Sequence, residues 1–279
     1  RAELHYEYST ITLSEGETAI LRKPSIQLVN PGYGDFGEVL TSARIGPALV
    51  GMGLIDMIDK QEIVSWQDPN DANADGISGR VNWIWDDIMQ TRKIGRFGYK
   101  ANIVSLDRQT ANAFHEDLGL TSALFPDENC SAIQHDCQKA VSGGEPELTS
   151  EQLHAVNFYL KFLAVPAPRN PDNPEGTRGR AVFDEAACAA CHRPQIRTQE
   201  NTNPKAFADR LIAPYSDFLL HDMGEDLADN RPDNGATGTE WRTAPLWGIG
   251  LAEQVGDKVG YLHDGRATTL LEAILWHGG

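Results

Sequence analysis

Long apolar runs are missing from this chain of 279 residues. No stretch of 18 or more apolar residues occurs, which excludes a membrane-spanning helix. Basic residues are few: 24 Lys and Arg stand against 40 Asp and Glu, a formal net charge of −16. That balance excludes nucleic acid as a partner, because phosphate binding needs clustered Lys and Arg. Internal repeats are absent. No positive-then-apolar leader is present, and the chain opens on Arg1, so it is expected to be a processed product or a fragment. Cysteine is scarce, with four residues, and only one pair has two residues between its members.

That pair carries the strongest signal. Cys188-Ala-Ala-Cys191-His192 is the C-x-x-C-H pattern by which haem c is attached. Two intervening residues set the sulfurs at the separation of the haem vinyl groups, to which they add as thioethers. The adjacent imidazole of His192 then reaches the iron from one side. A thioredoxin-like redox pair would not need His192, and a zinc site would need a second ligand pair. Haem c is assembled outside the bacterial cytoplasm, so a periplasmic or otherwise exported location is expected. The acidic balance favours a small basic electron-transfer protein as donor, although it also serves to keep an exported protein soluble. Cys130 and Cys137, in ENCSAIQHDC, are expected to form a short-loop disulfide. Two free thiols, or a metal site with His135, are the alternatives.

Residues 4–13 alternate imperfectly in the manner of a strand, and a second extended run covers Ser25 to Val29, suggesting an irregular hairpin or arm. From Ile45 to Val64 the pattern is helical, split by Gly51-Met52-Gly53 into two short helices. Segment 149–165 is the clearest helix: Thr149 and Gln152 form a capping-box pattern, Leu153, Val156, Leu160 and Leu163 share a stripe, and Pro166 ends it. PAPRNPDNPE (166–175) reads as a linker between an N-terminal region, 1–165, and a haem domain, 176–279. In the latter, Gly179 and Phe183 lie one turn apart on a helix expected to pack its glycine against a terminal helix, Thr268 to His277.

Asp71, Asn73 and Asp75 alternate before Gly76, the first half of an EF-hand-like calcium loop with the Ile77 carbonyl as the next ligand. Position twelve is Asn82, where an EF-hand wants a bidentate Glu, so a last ligand would come from Asp86 or Asp87. An Asx-rich turn without an ion is the alternative. For the sixth position of the iron the downstream candidates are Met223, His221, His263 and His277; Met223 is preferred as the single methionine after the haem motif. Arg242 and Arg266 are candidates to pair with haem propionates. Trp241, Trp247 and Trp276 fall in the same half as pocket or core residues.

GRFGYKA (95–101), AFHEDLGLTSALFPDENC (113–130), the CAACH motif, LLHDMG (219–224), EWRTAPLWGIG (240–250) and YLHDGRATTLLEAILWHGG (261–279) together resemble the dihaem c-type oxidoreductase family, whose members are described as peroxidases or "thiol oxidoreductases". The resemblance covers nearly the whole chain from about residue 33. It extends to bacterial dihaem cytochrome c peroxidases and the MauG group, in which a comparable stretch followed by HDG comes after the second haem motif. The resemblance implies two haem c groups, of which this sequence carries the attachment motif of the second only. It further implies that the haem on Cys188, Cys191 and His192 relays electrons to a first haem that reduces peroxide, so that 1–165 would hold the remainder of the first haem domain. A pure electron carrier and a non-redox binding module are the other classes. The fold expected is mainly α, with a cytochrome-c-like C-terminal domain and an irregular, mostly helical N-terminal region bearing a short hairpin or arm.

Overall fold

A computed structural model describes the chain except for residues 36, 170–172, 257–258 and 278–279. The middle of the expected linker, Asn170 to Asp172, and the final Gly278-Gly279 therefore lie outside the described residues.

The chain begins with a hairpin of β1 (Ala2–Thr12) and β2 (Thr18–Leu28), paired antiparallel along 11 residues each. Aromatic and β-branched residues such as Tyr6, Tyr8, Ile11 and Ile20 suit a half-buried pleated surface. Gly16, at φ 82°, supplies the left-handed residue of the turn, its amide donating to Leu13 O at 3.0 Å. Only Ala19 and Leu21 of the hairpin are buried. Arg22 pins it to the far end of the chain, donating to Gly265 O and Arg266 O at 2.9 and 2.8 Å.

Two short helices follow, α1 (Met52–Asp56) and α2 (Lys60–Ser65), then a small hairpin of β3 (Trp83–Asp86) and β4 (Thr91–Ile94). The next helices are α3 (Leu106–Leu118), α4 (His135–Gln138), α5 (Ser150–Phe162) and α6 (Pro174–Glu185). Beyond them come β5 (Ile196–Arg197), β6 (Leu211–Ile212), β7 (Leu220–Asp222), α7 (Gly224–Leu227), β8 (Glu240–Arg242), α8 (Ala252–Val255) and α9 (Leu270–Leu275). β5 pairs with β6 and β7 with β8, both antiparallel.

The longer helices have strong local start signals. Thr149 accepts from the Gln152 amide while Gln152 reaches back to the Thr149 amide, a complete capping box on α5. Ser105 caps α3, and Gly119 at φ 69° closes it. α3 packs on α5, where Thr110 donates to Asn157 Oδ1 at 2.6 Å in a buried contact.

The main core joins distant parts of the chain. Met52 and Ile55 of α1, Ile63 of α2, Val81, Ile94, Phe97, Ile103, Leu106 and Leu160 meet Ile196, Phe218 and Leu219, so residues on both sides of 166–175 share one cluster. No helix among the described residues is long and apolar enough to cross a membrane.

The expectation of a mainly α, cytochrome-c-like fold is overturned. The chain is 28% helical, with 20% strand in four small antiparallel sheets. In the C-terminal part, Pro194, Pro204, Pro214, Pro232 and Pro245 interrupt the chain before a helix can propagate. Short strand pairs and an extended buried segment take the place of the helices. The helix with Gly179 does form, as α6, but space is open around Gly179 rather than filled by a terminal helix. The N-terminal hairpin is regular rather than irregular, because β2 starts at Thr18, well before the extended run seen from Ser25.

Gly53 is where α1 touches α5, and a Cβ built there would collide with the Lys161 carbonyl. Gly53→Ala is expected to destabilise the protein by about 1–3 kcal/mol or more, read as a lower urea midpoint, since backbone must move to admit the methyl group. An unchanged midpoint would show that α1 and α5 are not in this close contact.

Candidate haem-attachment site

α6 leads into the motif through Ala187, whose φ of 58° turns the chain sharply into a 3₁₀ turn over Cys188–Ala190. His192 N donates to Cys188 O at 2.9 Å and completes the turn. Cys188 and Cys191 thus leave one turn of backbone as free, half-buried thiols. The motif is then tied down by segment 215–217, which runs beside it. Asp217 N donates to Cys191 O and Ser216 N to Arg193 O, both at 3.0 Å. Tyr215 and Phe218 have φ of 54° and 61°, and such left-handed conformations are unfavourable for bulky side chains. The strain sits where the chain must aim a carbonyl at His192.

That carbonyl, Tyr215 O, lies 2.8 Å from His192 Nδ1. A carbonyl only accepts, so Nδ1 carries the proton and Nε2 is left with its lone pair. Burial pushes the His192 pKa down, against the Tyr215 carbonyl, which raises it. Phe183 of α6 packs edge-on against both His192 and Tyr215, with ring centres at 6.4 and 5.6 Å. The ring of His277, just beyond α9, stands 6.4 Å from that of His192 at an interplanar angle of 52°.

His221 supports the other side of the motif. Its Nε2 donates to Asp217 Oδ2 at 2.9 Å, its Nδ1 donates to Ser78 O at 2.8 Å, and Cys191 Sγ lies 3.5 Å from Nδ1. Burial opposes its charge, but Asp217 and Cys191 outweigh that and push the pKa up to about 10. His263 has the opposite surroundings. It stacks on Trp241 at 3.6 Å, and burial pushes its pKa down to about 4 despite Asp264. Lys100, with a side chain fully buried, lies 4.0 Å from the Trp241 ring centre and pairs with Asp229 at 3.0 Å.

The other sequence candidates are spread through the fold. Met223 follows β7 as the N-cap of α7, its amide donating to Thr239 O at 3.1 Å. Arg242 is buried and donates to Gly98 O and Thr243 O. Arg266 forms a buried ion pair with Asp264 at 2.7 Å and donates to Asp226 O. In the acidic loop, Asp71 accepts from the Asp75 and Gly76 amides, Asn73 from Asp75 N, and Asp75 from Ile77 N. Asp86 pairs with Lys93 at 2.8 Å. No group of three or more His, Cys, Asp or Glu that could hold a metal ion occurs among the described residues. Cys130 and Cys137 are joined in a disulfide with Cα atoms 5.8 Å apart. Sequence alone missed Tyr215, Asp217 and Ser78, whose roles depend on contacts distant along the chain.

The family model described as "di-haem oxidoreductase, putative peroxidase" matches residues 2–279. The chain belongs to this family. No curated protein and no solved structure matches it.

The residues present fit the cofactor of a di-haem oxidoreductase. Two free thiols and an imidazole with an uncommitted Nε2 leave one turn. Val182 on α6 and Leu271 and Ile274 on α9 are exposed apolar side chains on the helices that flank His192 and His277 in sequence. Arg193 Nε and Trp276 Nε1, adjacent in sequence to His192 and His277, are buried donors without a hydrogen-bond partner among the described residues. Such donors suit the carboxylates of a haem edge.

The two buried histidines make opposite pH-dependent contributions to the stability of this di-haem oxidoreductase. His263 resists its proton in the fold, so stability falls as pH drops from 6.5 towards about 4, by on the order of 3 kcal/mol. His221 gains from its proton, so its contribution is complete below pH 6.5 and is lost as pH rises towards about 10. Urea midpoints across this range should show both limbs. His263→Phe should shallow the acid limb and His221→Gln the alkaline one; limbs unchanged by these substitutions would contradict the assignments.

Proposed function

We propose that Cys188 and Cys191 carry one covalent haem c with His192 as an axial ligand, and that this centre relays electrons from a donor protein to a second haem c that reduces peroxide. Membership of the di-haem oxidoreductases supports the class of chemistry. The observation that carries the reading is His192, whose Nδ1–H is held by Tyr215 O while Nε2 is uncommitted, the arrangement of a metal-binding histidine. Haem bound there supplies a one-electron couple.

The chain's own residues anchor and orient that centre. Cys188 and Cys191 present their sulfurs from a 3₁₀ turn and its C-cap, and the carbonyls of Cys191 and of Arg193 beyond it are fixed by the Asp217 and Ser216 amides. The His221–Asp217 pair braces Cys191, whose sulfur lies 3.5 Å from His221 Nδ1. Phe183 shields the His192 ring from water. An acidic protein of net charge −16 favours a small basic donor, which its field would steer to the surface. The disulfide between Cys130 and Cys137 suits a periplasmic or otherwise exported protein. A single C-x-x-C-H also suits a second reading, an electron carrier with no substrate of its own.

Stopped-flow mixing of the haem-loaded protein with a reduced, small basic c-type cytochrome tests the relay. Donor oxidation is expected, with a rate that falls on the order of tenfold or more from low to high salt. The protein carrying both haems should then turn over donor only when peroxide is present. Donor oxidation without any peroxide-dependent turnover would favour the carrier, and no electron uptake at all would overturn both.

A further inference from the structure

We propose that His277 is the second axial ligand of the haem iron, facing His192, so that this centre is bis-histidine ligated. The inference rests on the attachment of haem at Cys188 and Cys191. It starts from the distance between the two rings. With a metal–nitrogen bond of about 2.0 Å and a ring centre about 1.1 Å behind its nitrogen, two imidazoles on opposite sides of one metal ion have centres about 6.2 Å apart. The His192 and His277 ring centres are 6.4 Å apart.

The hydrogen bonds agree with that spacing. His192 Nδ1 donates to Tyr215 O and His277 Nδ1 donates to Ala273 O, each at 2.8 Å. In both rings the proton is therefore on Nδ1, and Nε2 is the nitrogen with a free lone pair. Among the described residues neither Nε2 has a hydrogen-bond partner. A ligand histidine held through its other nitrogen by a carbonyl is the arrangement that fixes tautomer and ring orientation for a metal.

α9 is built to hold His277 in place. Thr269 caps it by accepting from Glu272 N at 3.1 Å, and Glu272 in turn accepts from Thr268 N at 2.7 Å. Tyr261 and Ala267 are bridged just before the helix, and the Arg266 guanidinium lies 4.7 Å from the centre of the Trp276 ring. The other histidines downstream of the motif are committed elsewhere. His221 uses both nitrogens, on Asp217 and Ser78, and His263 is buried in its stack on Trp241. Met223 belongs to the β7–α7 corner, held there through Thr239.

Two strong nitrogen ligands keep the iron six-coordinate and lower its potential relative to a histidine–methionine pair. Peroxide then finds no open position at this centre, which leaves it a carrier of electrons and assigns substrate chemistry to another haem.

Electron paramagnetic resonance and far-red absorption of the oxidised, haem-loaded protein test this, with haem content counted by the pyridine haemochrome. The wild type should be low-spin ferric without a sulfur-to-iron charge-transfer band. His277→Ala should lose the low-spin signal, and added imidazole should restore it. His277→Met should gain the far-red band and a higher midpoint potential, whereas Met223→Leu should leave the spectrum unchanged. Normal haem content with a far-red band in the wild type that Met223→Leu abolishes would overturn the inference alone, as would a low-spin spectrum untouched by His277→Ala. Absence of covalent haem would instead overturn the functional reading on which it rests.

Discussion

Segment 215–221 ties the attachment motif to the rest of the molecule. Its residues Ser216 to His221 are all buried, and each makes a different connection. Tyr215, Ser216 and Asp217 hold backbone or side chain of the C-x-x-C-H turn; Phe218 and Leu219 enter the main core; Leu220 pairs with Arg80 and Arg242; His221 returns to Cys191. The two left-handed residues, Tyr215 and Phe218, are the conformational cost of turning the segment between these tasks. A redox centre benefits from such fixing, because an imidazole that cannot rotate keeps its ligand geometry between oxidation states.

A second constraint lies under the N-terminal hairpin, where charge is buried on purpose-built partners. Lys100, Asp229, Arg44, Trp241, His263 and the Asp264–Arg266 pair form one contiguous cluster. The Asp229 carboxylate is opposed by burial, yet Ser42, the Arg231 amide and Lys100 hold it below the usual carboxylate range. Groups of this kind are strongly coupled, and removing one leaves its partner charged and buried, a loss on the order of 3–5 kcal/mol. Because regular elements are short, this cluster and the shared apolar core, rather than long helices, give the C-terminal half its definition.

Local chemistry was legible in the sequence. The C-x-x-C-H motif, the Thr149–Gln152 capping box and the helix near the C-terminus each depend on residues within a turn or two of one another. The expected split at Gly51-Met52-Gly53 was misplaced: Gly51 is the N-cap of α1, residues 45–50 form no helix, and the break before α2 falls at Met57–Asp59. The fold class was not legible, because β5 and β6 have two residues each and β7 and β8 three, too few for any periodicity to register. Tyr215 acts through its carbonyl, which no side-chain pattern reveals. His277 was one of several downstream candidates, and only the fold brings its ring within 6.4 Å of the His192 ring. The acidic loop resembled a calcium site by spacing, while its carboxylates also match the amides of their own turn.

The central claim is that Cys188 and Cys191 anchor a haem. Mass spectrometry of protein matured in the presence of haem-attachment machinery, followed by proteolysis, tests it most directly. One haem should be found covalently on the peptide that contains both cysteines, lost when both are replaced by alanine. A peptide of unmodified mass, with Cys188 and Cys191 free or joined to each other, would contradict the account.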